Sequence, residues 1–190
     1  MPPQVERVPG DYILFLGRLG WKKGIENLIK ALALTEEFRQ SKYVLKIAGK
    51  GEAGYEEKLR ELVTRVGLSD KIEFVGQVEG DDKQRLLADA FWTIMPSHTE
   101  NFGLVVLESL AQETPVVASK GSPWEVLETE QLGFWTDNSP EELSNILERI
   151  LGMGDAEYQG YRSRGRDFVE QNFDMKKNIG RWSETYRSLK

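Results

Sequence analysis

Short apolar runs alternate with stretches of helical spacing along most of the chain, and this alternation constrains the fold more than any other feature. Tyr12-Ile-Leu-Phe-Leu16 is a continuous apolar run that ends at Gly17, as suits a strand buried on both faces. Ile25, Leu28, Ile29 and Leu32 follow at i, i+3, i+4 and i+7, one face of a helix. Residues 43–48 form a second strand. Leu59, Leu62, Val63 and Val66 repeat the helical spacing, with Gly67 placed as a C-cap. Residues 72–75 read as a third strand closed by Gly76, and 82–88 as a short helix. Residues 91–95 read as a fourth strand stopped by Pro96, 104–111 as a mostly apolar helix and 115–118 as a fifth strand. Beyond these the pattern weakens to a helical turn at 125–129 and a short edge strand at 133–135. Ser139-Pro140-Glu141-Glu142 then gives a strong helix start, with Ser at the N-cap, Pro at N1 and Glu at N3. Leu143, Ile146, Leu147 and Ile150 supply its apolar face. Helices over 156–171 and 175–188 complete the chain. On the last, Ile179, Trp182, Tyr186 and Leu189 make one apolar stripe.

Strand–helix alternation implies an α/β fold: a Rossmann-like, doubly wound parallel sheet with helices on both faces, followed by C-terminal helices. Ligands of such sheets bind beyond the C-terminal ends of the strands, where the strand order reverses. The loops after strands one to four are therefore the place to look for function.

With 190 residues and no linker or repeat, residues 1–190 read as one domain. The absence of cysteine excludes disulfides and thiolate chemistry. His98 is the only histidine, which excludes a multi-histidine metal centre, and no metal site is expected. A net charge of −6 argues against a nucleic-acid or anionic-membrane binder. No apolar run approaches the length of a membrane span, and the first residues contain no apolar signal core, so a cytoplasmic location is the default expectation. The charge is uneven: residues 79–148 hold 14 acidic and 3 basic side chains. An anionic ligand should therefore draw its cations from residues 1–78, which hold 13 basic against 11 acidic.

Gly49-Lys50-Gly51-Glu52-Ala53-Gly54 matches G-x-G-x-x-G between a strand and a helix. That pattern suits a dinucleotide fingerprint, a plain glycine turn, or a backbone loop close to a nucleotide. Its position on the second βα unit, with Asp70 and Glu73 poorly placed beyond a helix, disfavours the first. Between strand one and helix one, Arg18 and Lys23 lie five residues apart among glycines, beside a helix N-terminus. Arg offers paired donors and Lys a mobile point charge, which together suit a phosphate clamp; solvated loop charge is the alternative. In the loop after strand four, Glu100 precedes Gly103, and Phe102, Gly103 and Leu104 bring backbone N–H groups to a helix N-terminus. Glu108 falls inside an otherwise apolar helix, so its carboxylate needs either a structural cation or ligand hydroxyls such as those of a ribose. Asp81 and Asp82 read as a helix cap rather than a metal site. His98 reads as a loop hydrogen-bonder. Trp21 reads as an exposed contact or a packing residue.

Taken in order, GRLGWKKGIENLIKAL, LKIAGKGE, IEFVGQV, MPSHTENFGLVVLESLA and TPVVAS closely resemble group 1 glycosyltransferases of the retaining GT-B fold, family 4. The resemblance covers about residues 12–152. It implies one half of a two-domain enzyme: the C-terminal domain, which binds a nucleoside-diphosphate sugar, with an N-terminal acceptor domain of the same full-length protein as partner and peripheral membrane attachment a possibility for the whole. It implies that Arg18 and Lys23 hold the donor diphosphate, that Glu100 contacts sugar hydroxyls, and that these three form the catalytic set. Phe102, Gly103 and Leu104 would offer N–H groups to sugar and phosphate, and Glu108 would bind the ribose. Gly51 and the turn from Gly76 to Val78 would flank the base. No cofactor beyond the donor substrate is implied. Gly121-Ser-Pro-Trp-Glu125 departs from the family's G-G-x-P-E turn. An NAD-dependent oxidoreductase domain built on the GKGEAG loop and a non-catalytic nucleotide-sugar binding module stand as alternatives.

Overall fold

The computed structural model describes residues 2–52 and 54–173. Among these, the chain runs β1 (Tyr12–Leu16), a 3-10 turn (Trp21–Lys23), α1 (Ile25–Leu34), α2 (Glu36–Gln40), β2 (Val44–Ala48), α3 (Tyr55–Arg65) and β3 (Ile72–Gly76). It continues with α4 (Gly80–Asp89), β4 (Trp92–Met95), α5 (Leu104–Ala111), β5 (Val116–Ser119) and α6 (Val126–Thr129). β6 (Gly133–Thr136), α7 (Pro140–Leu151) and α8 (Asp155–Asn172) follow. The strands form one sheet in the order β3-β2-β1-β4-β5-β6. All neighbouring pairs are parallel.

The apolar runs are continuous because each central strand feeds a core on both faces. In β1, Ile13 and Phe15 join the larger core, while Tyr12 and Leu14 join a smaller cluster on the opposite face. In β5, Val117 packs with the larger core and Val116 and Ala118 with the other side. The larger core is closed by α1, α3 and α7, and the opposite face by α4, α5 and α8. Edge strand β3 instead alternates: Ile72 is buried, while Glu73 and Val75 are exposed. β6 is the other edge, as the sequence predicts.

The start of α7 folds as its sequence dictates, with the Glu142 amide donating to the Ser139 hydroxyl at 3.2 Å and Pro140 as first helical residue. Two details differ from expectation. Helix α2 has no counterpart in the sequence reading, because five residues are too short to show a period. It is anchored by Phe38, which is fully buried. Helix α4 begins at Gly80, and Asp81 and Asp82 lie in its first turn rather than capping it; Glu79 holds the N-cap position without a side-chain bond. Their charge still favours that helix end. The expected helix over 175–188 and its stripe of Ile179, Trp182, Tyr186 and Leu189 lie outside the described residues.

Candidate functional site

Strand order reverses between β1, which leads outward to β2 and β3, and β4, which leads the other way to β5 and β6. The loops leaving these two strands, 17–24 and 96–103, therefore diverge over one crevice. They are tied together by the His98 amide, which donates to the Lys22 carbonyl at 2.8 Å. The Asn138 amide nitrogen lies 3.1 Å from the Pro96 carbonyl and 2.9 Å from His98 Nδ1, so His98 serves as a loop hydrogen-bonder.

Across this crevice the Lys23 ammonium donates to the Glu100 carboxylate in a close ion pair. Glu100 also anchors its own loop, its amide donating to the Gly121 carbonyl at 2.8 Å. Burial pushes the Glu100 carboxyl upward. The hydrogen bond and charge of Lys23, with backbone hydrogen bonds from Phe102 and Asn101, outweigh it and hold the carboxyl below its ordinary value. Gly103 makes this placement possible. Its φ is 74°, and a Cβ there would lie 2.7 Å from Met95 Sδ and 3.2 Å from Glu100 Cγ. Only glycine lets the loop close over the end of β4 and turn directly into α5. Phe102 and Leu104 are exposed beside it.

Trp124, in the departing G-S-P-W-E segment, is a supporting residue that sequence reasoning passed over. It is buried, its indole N–H donates to the Phe102 carbonyl, and its ring packs on Phe102 at 5.5 Å between centroids. The departure from the expected turn was itself the signal.

Arg18 stands apart from the Lys23–Glu100 pair. Its side chain is largely exposed and meets Glu52 at 3.3 Å. With Leu16, Gly17, Gly49, Lys50, Gln77 and Val78 it lines an open cleft of about 270 Å³. Lys50 and Gln77 are site candidates that the sequence reading did not single out. Lys50 was hidden as a variable position of the glycine motif, and a surface glutamine carries no spacing signal.

The glycines of GKGEAG have a structural use. A Cβ on Gly49 would fall 1.8 Å from the Gly17 carbonyl oxygen, and one on Gly51 would fall 2.3 Å from that of Leu19. The Leu19 amide donates to the Lys50 carbonyl at 3.1 Å, and Leu19 and Gly51 form an isolated parallel bridge. The motif thus lets the second loop lie flat against the first. It follows β2 rather than a strand at the reversal, so the geometry gives it a packing role instead of a dinucleotide-binding one. Gly51 sits against Leu19 at the edge of the site, while Val78 lines the cleft itself.

Glu108, on α5, receives a hydrogen bond from the Lys83 ammonium at 2.7 Å. The structural cation that an ionised carboxylate needs in an apolar helix is therefore present. Both side chains remain partly exposed, so the carboxylate is also open to a ligand. Among the described residues no cluster of His, Cys, Asp and Glu could hold a metal ion. No described helix is long and apolar enough to cross a membrane.

The cleft that Arg18 and Lys50 line opens beyond β1 and β2, on one side of the reversal that the Lys23–Glu100 pair spans. The family profile described as glycosyl transferases group 1 matches residues 3–167. The chain belongs to the group 1 glycosyl transferases. This glycosyl transferase chain is 38% identical over 141 residues to the glycosyltransferase MJ1607 of Methanocaldococcus jannaschii, covering 73% of this chain and 35% of that protein. It resembles the crystal structure of Anabaena HepE in complex with UDP and glucose, with a TM-score of 0.81 and 27% identity, over 94% of this chain and 48% of that one. It shares the fold of the C-terminal domain of the group 1 protein LpcC from Francisella tularensis, with a TM-score of 0.75 and 22% identity, over 88% of this chain and 89% of that one. The chain thus spans about a third of the length of its curated relative and about half of HepE.

Proposed function

We propose that this chain is the donor-binding half of a retaining glycosyltransferase, acting with an N-terminal acceptor domain of the same full-length protein. The observation that carries the reading is the Lys23–Glu100 pair across the reversal point, beside the cleft that Arg18 and Lys50 line. The likeness to HepE, whose structure holds UDP and glucose, supports the nucleotide-sugar class.

In this reading the donor diphosphate enters the cleft and competes for both cations. Arg18 leaves the weak, exposed pair with Glu52, and Lys23 turns from Glu100 to a phosphate oxygen. Glu100, already ionised and held by its loop, accepts the sugar hydroxyls. The N–H groups of Gly103 and Leu104 face phosphate and sugar, and that of Phe102 is shared between them and the Glu100 carboxylate it holds. Glu108 accepts ribose hydroxyls, and Gly51 and Val78 flank the base. As the bond between the anomeric carbon and the diphosphate oxygen breaks, its electron pair stays on the diphosphate, while the anomeric carbon bonds to the acceptor's nucleophilic atom and the proton of that atom passes to the departing diphosphate. Fixed cations and helix N–H groups favour that charge and need no solvent reorganisation to do so. Side chains and helix N–H groups, rather than a metal, neutralise the diphosphate. In this reading the reaction runs in the cytoplasm.

A thermal-shift comparison of UDP-, GDP- and ADP-sugars with NAD tests the binding class. One sugar nucleotide should raise the unfolding midpoint while NAD does not; a shift with NAD alone would overturn the reading. Joining the chain to an acceptor domain and determining the anomeric configuration of the product tests transfer and retention. Binding without transfer would reduce the chain to a nucleotide-sugar binding module.

A further inference from the structure

We propose that Lys83 is a positioning residue for nucleotide recognition: its ammonium holds the Glu108 carboxylate in orientation for the vicinal hydroxyls of a ribose. The inference rests on the reading that Glu108 is the ribose acceptor. Lys83 lies in the first turn of α4 and Glu108 in the middle of α5, and the Lys83 Nζ meets one oxygen of the carboxylate, Oε1, at 2.7 Å. The pair stands beside the cleft. Val105, one helical turn before Glu108, packs in the same cluster as Leu16 and Val78, and both of those residues line the cleft.

The side chains are 27% and 29% exposed, sheltered enough to keep a fixed geometry yet open to a ligand. A carboxylate offers about four acceptor directions over two oxygens, so one ammonium leaves room for two hydroxyl donors. The surroundings give Lys83 a second effect. Residues 79–148 hold 3 basic side chains against 14 acidic, and Asp81 and Asp82 share the first turn of α4 with it. Lys83 offsets that charge at the point where an anionic nucleotide would lie. Freezing an unheld glutamate on binding costs a ligand roughly threefold to tenfold in affinity, so holding it beforehand matters by about that factor.

Titration calorimetry on the full chain tests this with UDP, ADP and GDP, each beside its 2′-deoxy counterpart. The wild type should bind the best of the three ribonucleotides about tenfold more tightly than the deoxy form, the value of one charge-assisted hydrogen bond. Lys83→Gln should weaken the ribonucleotide roughly threefold to tenfold and the deoxynucleotide by less than about twofold. Lys83→Arg should preserve the preference. Equal weakening of both forms, no change in either, or tighter ribonucleotide binding by Lys83→Gln would overturn the proposal; the last would make Lys83 a competitor of the ribose. Glu108→Gln separates the two layers. If it abolishes the ribose preference while Lys83→Gln keeps it, the positioning role alone fails. If Glu108→Gln keeps the preference, or none of the six nucleotides binds, the ribose reading fails and the inference with it.

Discussion

Glu100 and Lys23, 77 residues apart in the chain, form an ion pair over the point where the sheet reverses its strand order. The pair joins the loop after β1 to the loop after β4, the two segments on which the proposed chemistry rests. Each partner satisfies the other, so both charges stay in place in a half-sheltered crevice.

The pair sets a pH dependence. The Glu100 carboxyl lies below its ordinary value of 4.5, so its contribution to stability is present above that value. It is lost as pH falls through the lower, folded value. The stability gap between wild type and Glu100→Gln, measured by urea unfolding, should be constant near neutrality and close progressively in acid. Lys23→Met should raise the carboxyl's titration point, read by NMR. A Glu100 carboxyl that titrates identically with and without Lys23 would show that the pair is not energetically coupled.

Arg18→Ala should separate binding from folding. Its pair with Glu52 is largely exposed and worth about 0–1 kcal/mol, so the unfolding midpoint should barely move. Loss of a charge-assisted bond to phosphate should cost about 1.5–3 kcal/mol, roughly tenfold or more in nucleoside-diphosphate affinity. The corresponding nucleoside should bind unchanged. Calorimetry showing equal losses for nucleoside and diphosphate would remove Arg18 from the phosphate site.

Glu100→Gln should mainly impair sugar recognition. The ratio of affinities for the full sugar nucleotide and its nucleoside diphosphate should fall, while Glu108→Gln should weaken both ligands alike. Should Glu100→Gln weaken both equally, the assignment of sugar to one glutamate and ribose to the other is wrong.

Gly51→Ala tests the packing role of the glycine motif. The new methyl carbon would fall 2.3 Å from the Leu19 carbonyl oxygen, which is backbone and must shift. A cost of about 1–3 kcal/mol in urea unfolding is expected, as for overpacking elsewhere. Gly54→Ala meets no neighbouring atom within 4 Å but must adopt a φ of 81°. It should cost about 1–2 kcal/mol through backbone strain alone. If Gly51→Ala instead leaves stability intact, the two loops are not held in this contact.

What could be read from the chain alone is what short stretches fix within themselves. The double-sided burial of Tyr12–Leu16 shows as an unbroken apolar run, the face of α1 as a 3.6 period, and the start of α7 as a Ser-Pro-Glu-Glu cap. That function lies on the loops after the first four strands followed from strand–helix alternation, because parallel sheets bind ligands beyond the C-terminal ends of their strands; that the loops after β1 and β4 flank the reversal was decided by the strand order. Partner choice was decided elsewhere. Glu108 carried the same sequence signal whether its cation was a lysine or its partner a ribose, and only the packing of α4 on α5 brought Lys83 to it. GKGEAG matched a nucleotide fingerprint by spacing, yet Gly49 and Gly51 are fitted to Gly17 and Leu19, some 32 residues away. Periodicity and caps act over one or two turns of backbone and are written locally. Contacts between loops depend on how the intervening strands and helices stack, and that is set by the summed burial of the whole sheet.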